Sequence, residues 1–338
     1  MKIIFTIGDC NGIGLEVLIK ALIKFDDFSK SSSFDKLRMT NSQVDFSIVG
    51  NEKTIKEYLS YFNFPITVNN NTIELNNRKI LIIKSAAYSP VQFGKETKSA
   101  GRLAAKSIEK ALALTLKNQY DAMITMPVSK SVLYKAGWKY PGHTEMLADV
   151  CNVKNPLMLL CTDKIRVGLA TIHIPLSKVH KSITKSGLIE TAQKFNLSLK
   201  QDFGIKAPKI ALLGLNPHAG ESGDIGKEEI KIIIPAINEL NKQGIKTFGP
   251  FPADGFFAHG EYKQFHGILA MYHDQGLIPL KLLAKGSGVN FTAGLPIVRT
   301  SPDHGTAFGI AGQNKADCRS TLHAIELAIE VVRKRRKI

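Results

Sequence analysis

Short runs of aliphatic and β-branched residues alternate along the chain with longer stretches of helical spacing. "KIIFTIGD", "VDFSIVGN", "RKILIIK", "DAMITMP", "IRVGLATIHI", "KIALLGLN" and "HGILAMYHD" read as strands. "AGRLAAKSIEKALALTLKNQ", "GLIETAQKFNLSLKQ", "KEEIKIIIPAINELNKQG" and "ADCRSTLHAIELAIEVVRKRRK" repeat their apolar positions every three or four residues and read as helices. Strands alternating with helices predict an α/β protein layered around a largely parallel sheet. Polar residues gather just after the strands, at the sheet edge where open α/β sheets bind ligands. Residues 29–43, "SKSSSFDKLRMTNSQ", break the pattern. They are serine-rich without a convincing period and read as a surface insertion with no catalytic role.

The length of 338 residues exceeds the usual limit of one core and predicts two domains. No apolar run approaches the roughly 20 residues that span a bilayer, so no membrane partner is expected. The first strand reaches a glycine turn too soon for a secretory signal, which makes the cytoplasm the expected location. Cys10, Cys151, Cys161 and Cys318 are scattered, with no C-x-x-C pair. That spacing speaks against a disulfide framework and a thiolate zinc site, so any metal must use imidazoles or carboxylates. The net charge of +16 raises the question of nucleic acid. It is spread along the chain, however, and the dense "RKRRKI" run reads as a solvated helix end. No nucleic-acid partner is expected. A basic surface suits phosphorylated or carboxylated small molecules.

The candidate chemistry lies in four places. "GDCNGIGLE" follows the first strand but matches neither phosphate-loop fingerprint, so it is a tight strand-to-helix turn or a direct ligand contact. "YPGHTEM" sets His143, Thr144 and Glu145 after a Pro-Gly turn, as substrate contacts or as surface residues. His173, His218 and His273 each lie at or just past the end of an apolar strand. Three converging imidazoles with an open position would form a catalytic divalent-metal site, although residues this far apart can equally be separate hydrogen-bonded histidines. In "MYHDQGLIPLK" the histidine is followed at once by Asp274 and Gln275, then by Lys281. With Asn290 and Arg299 further on, Lys281 can hold a phosphate or carboxylate, the arginine as a fork and the lysine as a point charge.

Taken in order, "PGHTEM", "HIPL", "GLNPHAGESGDIGKEE", "GPFPAD", "MYHDQGLIPLK" and "GLPIVRTSPDHGTAFGIAG" closely resemble the 4-hydroxythreonine-4-phosphate dehydrogenase family of vitamin B6 biosynthesis. The resemblance runs from "GDCNGIGLE" to the last helix. It implies a two-domain isocitrate/isopropylmalate dehydrogenase-like α/β fold with an interdomain cleft, and a homodimer whose active site is shared between subunits. The expected division is 1–135 plus 290–338 for the first domain and 136–289 for the second, which would carry the metal and dimer contacts. By match of motif, His173, His218 and His273 would be ligands of one divalent ion (Zn, Mg or Co) drawn from both subunits. His143, Thr144, Lys281, Asn290 and Arg299 would contact a small phosphorylated substrate. Asp254 and Asp274 would orient the imidazoles. "DHGTAFGIAG" resembles the loop that carries the adenosine end of NAD or NADP, which assigns His304, Gly305, Thr306 and Gly312 to the cofactor. The implied reaction is NAD(P)-linked oxidation of 4-phosphooxy-L-threonine at C3, followed by decarboxylation.

The chain departs from the family pattern in two places. It has Cys10-Asn11 where Pro-Ala is common and Leu15 where proline is common. The cofactor-like loop lacks an acidic residue near Gly309 and reads "GQN" in place of glycine-lysine-glycine. Three other readings stand beside the main one. The first is a paralogous dehydrogenase of threonate or erythronate 4-phosphate, and the second a phosphate acetyltransferase-like acyltransferase. A non-enzymatic binder of phosphorylated metabolites is a third.

Overall fold

The computed structural model describes residues 1–31, 44–75 and 78–337. The proposed insertion at 29–43 lies almost wholly outside them. The chain divides into two compact units, one formed by residues 1–154 and 295–332 and the other by 155–294 and 333–338. The expected cut near residue 135 would have put His143 and Thr144 in the second unit, whereas both belong to the first.

The first unit opens with β1 (Lys2–Thr6), α1 (Gly14–Ser31), β2 (Asp45–Gly50), α2 (Glu52–Ser60), β3 (Ile66–Asn69), β4 (Thr72–Leu75) and β5 (Arg78–Lys84). It continues through α3 (Lys98–Leu116), β6 (Ala122–Ile124), α4 (Lys130–Lys135) and α5 (His143–Val150). The second unit holds β7 (Leu157–Cys161), β8 (Arg166–Leu169), α6 (Leu176–Ser182), α7 (Lys185–Gln201), β9 (Lys209–Leu213) and α8 (Ile234–Lys242). Then come β10 (Lys246–Phe251), α9 (Ala253–Ala258), β11 (Gly267–Ala270), α10 (His273–Ala284) and β12 (Val289–Ala293). The chain returns to the first unit with β13 (Val298–Pro302) and α11 (Arg319–Arg335), whose residues from Arg333 on belong to the second.

In the first unit the strand order is β13-β6-β1-β2-β5-β4-β3. The pairs from β13 to β5 are parallel, and the β3–β4–β5 edge is antiparallel. In the second unit the order is β10-β9-β11-β8-β7-β12, parallel as far as β8 and antiparallel through β7 and β12. The α/β class is therefore as expected, with more antiparallel pairing than periodicity predicts. Strand β7 is buried at every position and shows no alternation, so its apolar run is ambiguous by pattern. Strand β13 is also buried throughout although it carries Arg299, Thr300 and Ser301, a polarity that reads as loop.

Each unit has its own core. Ile4, Val49, Ile108, Leu112, Met123 and Leu147 pack together in the first. Leu160, Val167, Leu213, Phe256, Ile268 and Leu280 do so in the second. The helix expected over "KEEIKIIIPAINELNKQG" is interrupted, with a wide π-type turn over Glu229–Ile233 preceding α8. Pro235 has no N–H to donate backward, which accounts for the break in the α-helical ladder. The basic C-terminal run is less solvated than expected, because Arg335 Nε donates to the buried Asp202 at 2.7 Å while Ser198 Oγ holds the other carboxylate oxygen.

In the first unit, α3 meets α4 at Gly101, where a side chain would drive into the Val132 carbonyl. Replacing Gly101 with alanine should cost about 1–3 kcal/mol through overpacking, despite alanine's better helix propensity. Urea unfolding measures it, and a stabilised variant would show that the two helices can separate without cost.

Candidate functional site

In the second unit three parallel strands end side by side, and their exit loops carry the histidines. Beyond β8, Ala170 N–H donates to Ala270 O at 2.8 Å and Thr171 Oγ1 donates to Met271 O at 2.7 Å. This extra pairing carries the chain on to His173 beside the start of α10. The His173 and His273 rings lie with centroids 5.5 Å apart. His273 is the first residue of α10, and its Nδ1 is 2.7 Å from Asp274 Oδ1. That contact occupies Nδ1 and leaves Nε2 as the ring atom available to a ligand. Gln275 has a different task. Its Oε1 accepts Met271 N–H at 2.7 Å and its Nε2 donates to Gly214 O at 2.6 Å, tying the end of β11 to the end of β9.

His218 follows β9 in an unusual backbone. Five consecutive residues, His218 to Ser222, have positive φ (52°, 51°, 83°, 40° and 55°), and only Gly220 among them is glycine. Each of the others costs roughly 1 kcal/mol relative to the right-handed region, so the turn persists only if its surroundings impose it. Glu229 imposes it. Motif and spacing do not single out this side chain, although it falls on the apolar face with Ile233, Ala236, Ile237 and Leu240, the one sequence signal of its importance. It accepts Leu215 N–H at 2.7 Å and Asn216 N–H at 2.8 Å through Oε1, and Asn216 Nδ2 at 2.9 Å through Oε2.

The His218 ring makes no hydrogen bond among the described residues. No three histidine, cysteine, aspartate or glutamate side chains among those residues are grouped as a metal cage within one chain. The structure therefore brings two of the three expected imidazoles together. Asp254 sits exposed on the first turn of α9 and makes no hydrogen bond or ion pair among the described residues, so nothing links it to an imidazole. Lys281 is exposed on α10, and Asn290 on β12 has a buried Oδ1 with no partner.

The first unit carries a second group. Arg299 stands on β13 in register with Met123 of β6 and is 2% exposed. Its Nε and Nη2 donate to Thr125 Oγ1 at 3.0 and 2.6 Å. Burial lowers its pKa to about 10 against the pull of Glu145, so the guanidinium stays charged at neutral pH. "PGHTEM" is a helix start rather than a free turn, with Gly142 as extended N-cap and His143 and Thr144 opening α5. The His143 Nε2 is buried without a partner. Burial, with the charges of Arg299 and Lys130, holds its pKa down to about 3.

The first strand-to-helix turn anchors loops. Ile13 N–H donates to Thr306 O at 3.0 Å, and a side chain at Gly12 would strike the same carbonyl. Asn11, one of the departures from the family pattern, accepts Gln92 N–H at 2.7 Å and donates to Lys95 O at 2.8 Å. Of the residues assigned to the cofactor, Thr306 thus rests on this turn, and Gly312 (φ 80°) packs its backbone on the Phe93 ring. His304 keeps a buried, unpartnered Nε2, while Gly305 lies in open space.

The second unit thus carries imidazoles at its strand ends, and the first a buried guanidinium. The family model for the pyridoxal phosphate biosynthetic protein PdxA matches residues 42–328, and the chain belongs to that family. It is 40% identical to the 4-hydroxythreonine-4-phosphate dehydrogenase of Sulfurihydrogenibium sp. (strain YO3AOP1), over 99% of this chain and all of that one. The crystal structure of the enzyme of the same name from Klebsiella pneumoniae is similar, with a TM-score of 0.79, 34% identity and 98% of each chain covered. A branched-chain phosphotransacylase from Enterococcus faecalis shares the fold alone, with a TM-score of 0.56 at 14% identity over 98% of this chain and 100% of that one.

The His143 ring should stay neutral at every working pH, so its NMR resonances should show no titration between pH 5 and 8. Its folded pKa lies below the ordinary 6.5. The unfolded chain therefore binds the proton first as pH falls, and this ring withdraws stability progressively below about pH 6.5. An inflection near 6.5 would show that the ring is solvated.

Proposed function

We propose that the protein is a metal-dependent, NAD(P)-linked 4-hydroxythreonine-4-phosphate dehydrogenase acting in the cytoplasm as a homodimer. It oxidises 4-phosphooxy-L-threonine at C3, passing hydride to NAD or NADP and releasing a proton. The product, 2-amino-3-oxo-4-phosphooxybutanoate, loses CO₂ to give 3-amino-2-oxopropyl phosphate. The observation that carries the reading is the match along essentially the whole chain to relatives of that name, 40% identical in the instance given.

His173 and His273 are the facing imidazoles of a divalent site, and a donor set of neutral nitrogens suits Zn or Co better than Mg, which prefers oxygen ligands. His218, exposed on its own loop, supports completion of that set across the dimer. A divalent ion there supplies Lewis-acid polarisation of the C3 oxygen without a redox change of its own. Arg299 offers a buried guanidinium, which attracts a phosphate or carboxylate more strongly than an exposed one does. The neutral His143 and Thr144 give hydrogen bonds to the same substrate, and the open Oδ1 of Asn290 accepts one. Lys281 adds an exposed cation. The 304–312 loop takes the adenosine end of the cofactor.

An NAD⁺ and NADP⁺ reduction assay with 4-phosphooxy-L-threonine, beside threonate and erythronate 4-phosphates, tests the reading. The first substrate should give by far the highest kcat/KM, and preference for either acid phosphate would reassign the protein within its family. In the same assay Arg299→Lys should lower kcat/KM by roughly ten- to a hundred-fold, the loss of about 1.5–3 kcal/mol of charged hydrogen bonding, with bound metal unchanged. An unaltered kcat/KM would leave the anion to other residues.

A further inference from the structure

Glu229 is 2% exposed, and its hydrogen-bond partners are all N–H donors of the loop that bears His218. Asn216 is the other half of the clamp. Its amide donates to Glu229 Oε2 and also to Glu228 Oε2 at 2.8 Å. The loop closes tightly on both side chains. A methyl at Gly220 would come within 2.6 Å of Glu229 Oε2, and one at Gly226 would overlap the Asn216 amide. The left-handed run begins two residues after Asn216, at His218 itself. Left-handed backbone points Cβ differently from right-handed backbone, so the direction of the imidazole depends on the turn keeping its hand.

We propose that Glu229, working with Asn216, is a positioning residue that holds the left-handed turn at 218–222 and so aims the His218 imidazole for divalent-metal binding. The inference rests on the proposed metal site. The clamp needs an ionised carboxylate because every partner is a donor. In Glu229→Gln the new amide can keep the two backbone N–H groups through its oxygen, but it then presents N–H to the Asn216 N–H. The side-chain half of the clamp fails while the charge-neutral residue keeps its volume.

The test is calorimetric titration of Zn²⁺ into chelator-treated full-length protein, with thermal unfolding of each variant alongside. His218→Ala should lose tight Zn²⁺ binding. Glu229→Gln should weaken it by roughly tenfold or more, the scale on which supporting groups tune a metal site, while its melting midpoint shifts by less than about 4 °C. Asn216→Ala should shift affinity in the same direction and decides the matter on the same criteria if Glu229→Gln does not fold. Wild-type Zn²⁺ affinity in the folded clamp variants, with binding lost in His218→Ala, overturns the positioning role and leaves the metal reading standing. Wild-type affinity in His218→Ala overturns the metal reading and the positioning role together.

Discussion

The Gln275 carboxamide accepts a hydrogen bond from Met271 at the end of β11 and gives one to Gly214 at the end of β9, stitching two neighbouring strand ends with one side chain. Both backbone groups would otherwise lack a partner where the ladder stops, at a cost of roughly 1–3 kcal/mol each when buried. The stitch also fixes where two of the histidines start from. His273 opens α10 two residues from Gln275, and the loop to His218 leaves β9 directly after Gly214. The chemistry of the second unit therefore depends on where the sheet runs out of backbone partners and which side chains replace them.

The same logic explains which residues can be strained. The turn at 218–222 concentrates backbone conformations that most L-residues avoid, and it lies where Glu229 and Asn216 saturate the preceding N–H groups. Strain of this kind is stable only when it is surrounded by interactions that fix it, and here it follows directly on backbone held by a buried carboxylate. The first unit solves a parallel problem with Arg299, whose charge is kept in a buried strand next to Thr125 and within the field of Glu145.

Much of this is legible in the sequence, for physical reasons. The parallel strands with aliphatic runs, such as "KIIFT" and "GILA", are visible because both faces are buried, and the histidines stand out as polar residues just beyond them. The pairing of His273 with Asp274 is legible from adjacency. Strand β13 is not, because its polar residues satisfy themselves through contacts distant in sequence, Arg299 with Thr125 and Thr300 with Ala324. Gln275 and Glu229 escape notice as functional for the same reason, since a hydrogen bond across about 60 residues, or from a helix back to the loop that precedes it, leaves no local period. Glu229 alone leaves a trace, a charge on an apolar helix face. The family resemblance supplies the roles that spacing cannot.

The central claim is that imidazoles from the strand ends of the second unit hold a divalent ion. X-ray absorption at the zinc edge of the loaded protein tests it most directly. The account predicts a nitrogen and oxygen shell at about 2.0–2.1 Å with the multiple scattering of about three imidazole rings. A sulfur shell near about 2.3 Å, or a shell without imidazole scattering, would contradict it.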